Sequence, residues 1–260
     1  MNNLSLFNNK IMGIKYKNID DLIKKAKEIE GQTISDLGKK VGLLDKRERR
    51  FTKSIIANIV ETNFFGIPTN SSPQPDFISL GIELKVSPLK YVPTRELYNM
   101  KERCVLSLMD YNDVYDNKDW KNSKLYKKIN KILFVFYVHN NNTPAEKWKF
   151  SKTFLWSPNS EEKKMIELDY KIIRDNIKKG IINSERHNTF LGTCPKHAGG
   201  YKKDNIPLSV PQSLREHPVL GYAEKRAFCI KQREVDRLIG KYTDLELIRE
   251  KQSIGFRGID

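Results

Sequence analysis

The stretch that decides the fold is Pro75-Asp76-Phe77-Ile78-Ser79-Leu80-Gly81-Ile82-Glu83-Leu84-Lys85. In its second half, apolar Ile82 and Leu84 alternate with charged Glu83 and Lys85. This period of two is typical of a strand with one buried face, and it directs both charged side chains to the opposite face. A turn near residues 79–81 would fold Asp76 back beside them. The stretch therefore predicts a bent ribbon on which two carboxylates and one amine converge.

Two acids and an amine at this spacing favour metal-dependent hydrolysis of a phosphodiester. Mg²⁺ prefers oxygen ligands, and one or two carboxylates usually hold it together with substrate phosphate. The pattern predicts Asp76 and Glu83 as metal ligands and Lys85 as the group that orients the attacking water or stabilises the transition state. The competing interpretation is a solvated strand with alternating charge, because short motifs of this kind often match by chance.

Around this ribbon the apolar periodicity changes between that of helices and that of strands, which predicts an α/β or α+β fold. We expect one central mixed sheet with strands over 81–86, 104–109 and 131–138 and with helices on its flanks. Ser157 or Ser160 is the expected N-cap of a helix that ends near residue 179. The remaining predicted elements are helices over 19–29, 52–64 and 233–239 and strands over 150–156 and 226–230.

The composition indicates a polyanionic partner. The chain has 260 residues, and its 47 Lys and Arg against 32 Asp and Glu leave a formal net charge of +15. That surplus favours nucleic acid first and an anionic membrane surface second. The longest apolar run, residues 132–138, is far shorter than the ~20 residues that span a bilayer, and the polar start lacks a signal-peptide core. We therefore expect a cytoplasmic protein with no membrane partner.

The three cysteines, Cys104, Cys194 and Cys229, have no CxxC spacing, which indicates reduced thiols and no disulfide framework. Cys194 and His197, with His187 and Cys229 farther away, could suggest zinc. No second CxxC or HxxxH pair accompanies them, so a structural role is favoured. The sequence contains no Ser-His-Asp order, no glycine-rich phosphate loop and no dinucleotide fingerprint. Nothing in it therefore supports a nucleotide-driven motor.

The segment PDFISLGIELKVSP, residues 75–88, resembles the catalytic hairpin of the MutH family, the GATC-directed nicking endonucleases of mismatch repair, and of the related Sau-type restriction endonucleases. The likeness covers about residues 45–240. It extends to KERCVLSLMDY (101–111), KKINKILFVFYV (127–138), FLWSPNSEE (154–162), TFLGTCPKHAGG (189–200) and LGYAEKRAFCIK (220–231). The resemblance implies a restriction-endonuclease-like core with a central mixed sheet flanked by helices.

For the catalytic centre, the resemblance implies that Asp76 and Glu83 bind the metal and that Lys85 is the catalytic lysine. Glu61 falls where a further helix-borne acid reaches the site, and Lys128 falls near the scissile phosphate. Alternatives stay open for the last two. Glu61 could be a solvated acid at a helix end, and Lys128 could belong to a general phosphate-contacting patch with its neighbouring lysines.

For DNA recognition, the resemblance implies contacts from Lys53, Pro195 and Lys196, and it matches Tyr222 to a tyrosine that senses adenine methylation. Tyr222 could equally be a packing aromatic. The family nickase has an arginine where Cys194 stands here, whereas the Sau-type enzymes resemble this chain in carrying a cysteine. Base specificity is therefore less firmly implied than the reaction.

The expected function is a type II restriction endonuclease that depends on Mg²⁺, with Mn²⁺ able to substitute, and cuts double-stranded DNA at GATC or a related palindrome. A mismatch-repair-type nickase with an accessory activator and a non-catalytic DNA-binding module are the alternatives. Cutting both strands requires a homodimer on DNA or two sequential nicks. We expect an N-terminal helical segment over 1–44, packed on the core, the endonuclease domain over 45–241, and a C-terminal tail or the start of a missing segment over 242–260. These last residues are too few for a second, regulatory half, so we expect either a compact relative or the catalytic half of something longer.

Overall fold

The computed structural model describes residues 16–42, 52–68, 72–92, 97–117, 119–182, 188–196 and 214–245. The chain divides into two compact units. Unit one comprises Met1–Lys101, Ile132–Trp156 and Ile239–Asp260, and unit two comprises Glu102–Lys131 and Ser157–Leu238. The domain boundaries predicted after residues 44 and 241 stay a prediction.

Helices and strands follow one another in groups along the described part of the chain. The helices are α1 (Ile19–Lys27), α2 (Ile34–Lys40), α3 (Lys53–Asn58), α4 (Tyr111–Asp116), α5 (Lys124–Ile129), α6 (Ser160–Lys178) and α7 (Gln232–Tyr242). The strands are β1 (Glu83–Val92), β2 (Leu97–Met100), β3 (Cys104–Leu108), β4 (Ile132–His139), β5 (Phe150–Trp156), β6 (Leu191–Pro195), β7 (Leu214–His217), β8 (Gly221–Glu224) and β9 (Arg226–Ile230). None of the described helices is long and apolar enough to cross a membrane.

Unit one is built on a four-stranded sheet in the order β2-β1-β4-β5. β1 runs parallel to β4, while β2 and β5 are antiparallel to their neighbours. The side chains of β4 from Ile132 to Tyr137 are buried on both faces, as the uninterrupted apolar run predicts. The predicted mixed sheet is therefore confirmed.

One strand assignment to that sheet was wrong. β3 was expected beside β1 and β4, but it pairs antiparallel with β9 in a second sheet, ordered β3-β9-β6, in unit two. The alternation of apolar residues fixes which face of a strand is buried, and it carries no information on which distant strand completes the hydrogen bonds.

The core of unit one lies between this sheet and the N-terminal helices. Leu22 and Ala26 of α1 are fully buried and belong to one apolar cluster with Leu84 of β1 and Leu133 of β4. Asn18 caps α1 by accepting a hydrogen bond from the Asp21 N–H at 2.8 Å. The helix predicted over 19–29 is thus confirmed, and it positions β1 from one side.

The outer edge of β5 is covered by the segment that follows α1. The Gly31 N–H donates to Phe150 O at 2.9 Å, and the Phe150 N–H donates to Gln32 O at the same distance. These bonds occupy backbone groups that an exposed edge strand would offer to another chain. The N-terminal helices are therefore tied to the sheet by backbone pairing as well as by apolar packing.

The helix predicted over 52–64 changes its winding halfway. α3 begins after the N-cap Thr52 and continues as a π-helix, Ile59–Phe64, in which the Phe65 N–H donates to Val60 O at 3.0 Å. Ile59, Val60, Phe64 and Phe65 are all buried. The wider π turn brings more neighbouring apolar residues onto the core than a regular 3.6-residue winding does, and such turns are frequent at functional sites.

Unit two contains the β3-β9-β6 sheet, the β7-β8 hairpin and the long helix α6. The N-cap of α6 is Asn159, so the predicted Ser157 or Ser160 was wrong. Asn159 and Glu162 form a reciprocal capping box, with hydrogen bonds of 2.9 and 3.0 Å. The amide oxygen of asparagine accepts the capping hydrogen bond as well as a serine hydroxyl does. Because Ser157, Asn159 and Ser160 lie within four positions, residue type alone does not decide which of them is the N-cap.

Candidate active site

The bent ribbon predicted for residues 76–85 is present. The Phe77 N–H donates to Ile82 O at 2.8 Å and the Ile82 N–H returns to Phe77 O at 3.3 Å, which closes a loop formed by a single 3₁₀ turn, Ile78–Leu80. Gly81 ends that turn with φ +64°, a left-handed conformation that a residue with a Cβ rarely adopts. The glycine thus allows the chain to reverse directly before Glu83.

Asp76 is fixed at the entrance of β1. Its Oδ2 atom accepts a hydrogen bond from the Leu84 N–H at 2.8 Å. Because Leu84 lies between Glu83 and Lys85, this bond holds the aspartate against the part of the strand that bears the other two charged residues. The structure therefore brings together the segments that carry the three predicted catalytic residues.

Glu83 and Lys85 form an ion pair on one face of β1. Lys85 Nζ lies 2.7 Å from Glu83 Oε1. The side chain of Lys85 is 18% exposed, and that of Glu83 is 2% exposed. The competing interpretation of a solvated strand is therefore wrong for Glu83. Withdrawing a carboxylate from water costs several kcal/mol unless charged and hydrogen-bonding partners offset it. The fold therefore keeps Glu83 buried at the start of β1 despite the cost of desolvating its carboxylate.

Glu61 lies in the π-helix and is half-buried, rather than at a solvated helix end. Its neighbours Ile59 and Val60 belong to the same apolar cluster as Phe77 and Ile82 of the ribbon. The helix that bears Glu61 and the ribbon that bears Asp76 are thus anchored in one core. The role of Glu61 as a further acid of the site stays a prediction.

The oxygen atoms of Asp76 and Glu83 suit a hard divalent cation. Across the part of the chain that the structure describes, no group of three or more His, Cys, Asp and Glu side chains is arranged to hold a metal ion. Two carboxylates are nevertheless the usual protein contribution to a Mg²⁺ site that substrate phosphate and water complete. His187 and His197 of the zinc alternative lie outside the described residues, and the three cysteines are free.

The other predicted residues lie on several elements. Lys53 is the first residue of α3, and Lys128 lies on α5 in unit two, half-buried. Pro195 ends β6 and Lys196 follows it, both exposed. Residues 197–201, which follow Lys196, lie outside the described residues. Of the residues predicted to contact DNA, unit two therefore presents Pro195 and Lys196 on its surface.

Tyr222 lies on β8 and is 65% exposed, so the alternative of a packed core aromatic is wrong. The hairpin that carries it is held by His217, whose Nδ1 accepts hydrogen bonds from the N–H groups of Val219 and Leu220, both at 3.1 Å. The His217 ring is 3% exposed and packs against Tyr111 at 4.8 Å between ring centres. Burial lowers the pKa of His217. The neutral imidazole therefore supports the tyrosine-bearing hairpin.

Sequence reasoning missed the anchors of β6. Asp169 of α6 is fully buried and accepts hydrogen bonds from the N–H groups of Thr189, Phe190 and Leu191 at 2.9, 2.7 and 2.7 Å. It thereby fixes the entrance of the strand that ends at Pro195. A lone aspartate in a charged helix gives no signal of such a role, because its partners lie about twenty residues away in the sequence.

Arg226 was missed for a related reason. It is buried on β9, where its Nη1 atom lies 2.6 Å from Glu224 Oε2 and its Nε donates to Thr193 Oγ1 at 3.0 Å. Glu224 ends β8 and Arg226 begins β9, so the pair lies across the junction of two strands and is not an alternating pair on one strand like Glu83 and Lys85. This pair connects the two strands that carry Cys194 and Tyr222.

The comparisons with known proteins converge on one group of enzymes. The family described as DNA mismatch repair enzyme MutH matches residues 65–169, which include the ribbon, β1, β4 and β5. The type II restriction enzyme Sau3AI of Staphylococcus aureus is 28% identical over 222 residues, which are 84% of this chain and 42% of that enzyme. The chain thus spans less than half the length of this relative.

Two mismatch repair proteins are similarly related. MutH of Escherichia coli O6:K15:H31 is 27% identical over 183 residues, covering 69% of this chain and 76% of that protein. MutH of Shewanella woodyi is 26% identical over 235 residues, covering 87% of this chain and 95% of that protein. The region matched by the MutH family, residues 65–169, contains the Asp76 to Lys85 ribbon described above.

Proposed function

Because the chain belongs to the family of MutH and Sau3AI-type restriction endonucleases, we propose that it is a Mg²⁺-dependent endonuclease that cuts double-stranded DNA at GATC or a related palindrome. The observation that carries the proposal is the buried Glu83–Lys85 pair beside the anchored Asp76, within the region matched by the family. Water is the nucleophile, and the products are 5′-phosphate and 3′-hydroxyl ends.

Asp76 and Glu83 are the residues that hold the cation. When bound, Mg²⁺ lowers the pKa of a coordinated water and offsets negative charge on the scissile phosphate, and Mn²⁺ is able to substitute. The Lys85 ammonium, 18% exposed and hydrogen-bonded to Glu83, orients the attacking water or stabilises the charge that develops on the phosphate. Burial of the pair fixes the amine in place before DNA arrives, so little reorganisation is needed.

DNA binding follows from the charge surplus and from exposed residues of unit two. The net charge of +15 supplies sequence-independent attraction to phosphates. Lys196 and the exposed ring of Tyr222 are proposed to contact the DNA site, with Pro195 shaping the segment. Lys53 and Lys128 are proposed as further contacts, the latter near the scissile phosphate.

A type II restriction enzyme is favoured over a nickase because residues 101–111 and 226–240 resemble the Sau-type enzymes more closely. The nickase remains the second candidate, supported by the match that covers 95% of a MutH protein. The two differ in what they require. A restriction enzyme cuts both strands as a homodimer on DNA or by two sequential nicks, whereas a repair nickase needs an accessory activator.

The deciding experiment incubates the purified chain and Mg²⁺ with plasmids that carry or lack adenine methylation at GATC. We expect linear fragments that end at GATC, no product with EDTA, and no product from Glu83→Gln. The exposed Glu167 of α6 provides a matched control, and Glu167→Gln should cut like the unaltered protein. Accumulation of nicked circles alone would identify the nickase. Tight binding without any cutting would instead identify a non-catalytic module and overturn the proposal.

A further inference from the structure

Cys194 and Cys229 lie on the same face of the sheet in unit two, although 35 positions separate them in the sequence. β6 and β9 are antiparallel, with Cys194 opposite Ala227 and Gly192 opposite Cys229. Opposed residues share a face, and every second residue returns to it. The two thiols are therefore diagonal neighbours across the strand pair. Cys229 is fully buried, whereas Cys194 is half-buried near the end of β6.

Two arginines contact the backbone directly before Cys194, and a lysine follows it in the sequence. Arg103 Nη1 donates to Thr193 O at 2.7 Å, and Arg226 Nη2 donates to the same carbonyl at 3.3 Å. Lys196 follows two residues after the cysteine. Glu224 is paired with Arg226 and offsets part of this charge. The remaining positive charge favours a thiolate over a thiol at this position.

The protonation of the two sulfur atoms is unequal. The hydrogen bond with Cys229, together with the charges of Lys196, Arg103 and Arg226, lowers the pKa of Cys194, although burial raises it. The same hydrogen bond and its own burial raise the pKa of Cys229. Cys194 is thus the more acidic thiol of the pair.

We propose that Cys194 is a modification site whose thiolate reacts with low-molecular-weight disulfides, while Cys229 remains a thiol. The strand register argues against a bond between the two cysteines. Diagonal cross-strand neighbours have Cα atoms about 7–8 Å apart, whereas disulfides join Cα atoms about 4.4–6.8 Å apart. Closing that bond would shift the strands, so a mixed disulfide at Cys194 is the expected product.

The reaction is a thiol–disulfide exchange. The Cys194 thiolate attacks one sulfur of the reagent, the reagent's S–S bond breaks, and a new S–S bond forms between Cys194 and one half of the reagent. The other half leaves as a thiolate and takes up a proton from water. Cys194 is oxidised and the departing half is reduced, so electrons balance without a further oxidant.

The chemical test treats the full chain with glutathione disulfide and measures the intact mass. We expect one glutathionyl group per chain, none on Cys194→Ser, and an unchanged adduct on Cys104→Ser, which replaces the buried cysteine of β3. Circular dichroism shows whether each variant folds, and Cys194→Ala provides a second replacement. An adduct on Cys104 or Cys229, a loss of two hydrogens without an adduct, or no reaction would overturn the proposal.

The role of Cys229 is tested by the pH dependence of alkylation. In the unaltered chain we expect the rate of reaction of Cys194 with iodoacetamide to reach half its maximum at a lower pH than for an ordinary cysteine, because the pKa of Cys194 is lowered. Cys229→Ala removes the hydrogen bond to the thiolate, so the half-maximum should move to higher pH and the rate at pH 7 should fall about tenfold. An unchanged profile would show that Cys229 does not support the thiolate.

The consequence for DNA rests on the proposed function. A glutathionyl group adds bulk and negative charge two residues before Lys196, so we expect modified protein to lose DNA cleavage and dithiothreitol to restore it. Whatever its basal rate of cleavage, Cys194→Ser should show the same rate with and without glutathione disulfide. A protein that forms the adduct but never cuts DNA would contradict only the proposed function, whereas a protein that cuts DNA and forms no adduct would contradict only the modification site.

Discussion

The Glu83–Lys85 pair of unit one and the Cys194–Cys229 pair of unit two are built on different principles. Glu83 and Lys85 come from one strand, where two-residue spacing alone puts them on one face, 2.7 Å apart. Cys194 and Cys229 share a face only because β6 and β9 are paired in one register. The geometry of the first pair depends on a single strand, whereas that of the second depends on how two strands are paired in the sheet.

The same contrast holds for the aspartates that anchor each region. Asp76 accepts one backbone hydrogen bond from Leu84, eight residues later. Asp169 accepts three, from residues 20 to 22 positions away, and each N–H belongs to the turn that enters β6. The bond that Asp76 accepts from Leu84 is therefore a local one, whereas Asp169 is held by long-range bonds that must form together.

The largest expected effect concerns the local pair. Lys85→Ala removes the amine from the strand face, and we expect cleavage of DNA to fall about 10²- to 10³-fold, the usual loss when one preorganised charge-stabilising group is removed. Lys90 is exposed on the same strand, so Lys90→Ala should cleave at nearly the unaltered rate. Rates of plasmid cleavage at saturating Mg²⁺ measure both. Equal rates for the two variants would break the assignment of catalysis to the Glu83 and Lys85 face.

The next effect concerns the long-range anchor. Asp169→Ala leaves three backbone N–H groups without their acceptor, and each buried unsatisfied group costs about 1–3 kcal/mol. We expect the free energy of unfolding to fall by about 3 kcal/mol or more in urea titrations. Asp175 lies on the same helix and is only half-buried, so Asp175→Ala should change the unfolding free energy by at most about 0.5 kcal/mol. Equal losses would show that the bonds accepted by Asp169 do not anchor the entrance of β6.

A smaller effect tests a local contact inside unit two. Asn159→Ala removes the capping-box acceptor of the Glu162 N–H, and we expect a loss of about 1 kcal/mol in unfolding free energy. Ser157→Ala is the matched control, since Ser157 is exposed and was the cap predicted from the pattern. If Ser157→Ala were the more costly change, the capping box would not be what begins α6 in solution.

The smallest effect is a dependence on pH. The pKa of His217 is lowered in the folded protein, so the unfolded chain binds the proton more readily. Stability from the neutral ring is complete above its ordinary pKa of about 6.5 and declines as the pH falls below that value, because a protonated Nδ1 cannot accept the bonds from Val219 and Leu220.

Unfolding in urea at pH 7 and pH 5 measures this contribution. Between pH 7 and pH 5, the free energy of unfolding of His217→Gln should fall less than that of the unaltered protein. His139→Gln, in β4, is the control, and its free energy of unfolding should fall by as much as that of the unaltered protein. A difference that survives in His217→Gln would assign the dependence on pH to other groups.

The sequence predicts well the features that depend on neighbouring residues and predicts poorly those that depend on distant partners. The ribbon at residues 76–85, α1, β4 and β5 were predicted correctly because periodicity and turn residues act over a few positions. The sheet to which β3 belongs was predicted wrongly, and the roles of Asp169 and Arg226 were missed. Each of these depends on partners that no local pattern specifies. The choice of Ser157 or Ser160 over Asn159 was an error of one to two positions within a correctly predicted helix.

The parallel pairing of β1 with β4 also sets the order in which the molecule can be assembled. Glu83 lies opposite Ile132, 49 positions later, so a ribosome must add all of β2, β3, α4 and α5 before the inner strand of the sheet can find its neighbour. Closing so long a loop is entropically costly and slows folding. During synthesis residues 83–88 of β1 therefore lack their parallel neighbour until β4 emerges. The sheet that buries Glu83 is accordingly completed late in the synthesis of each chain.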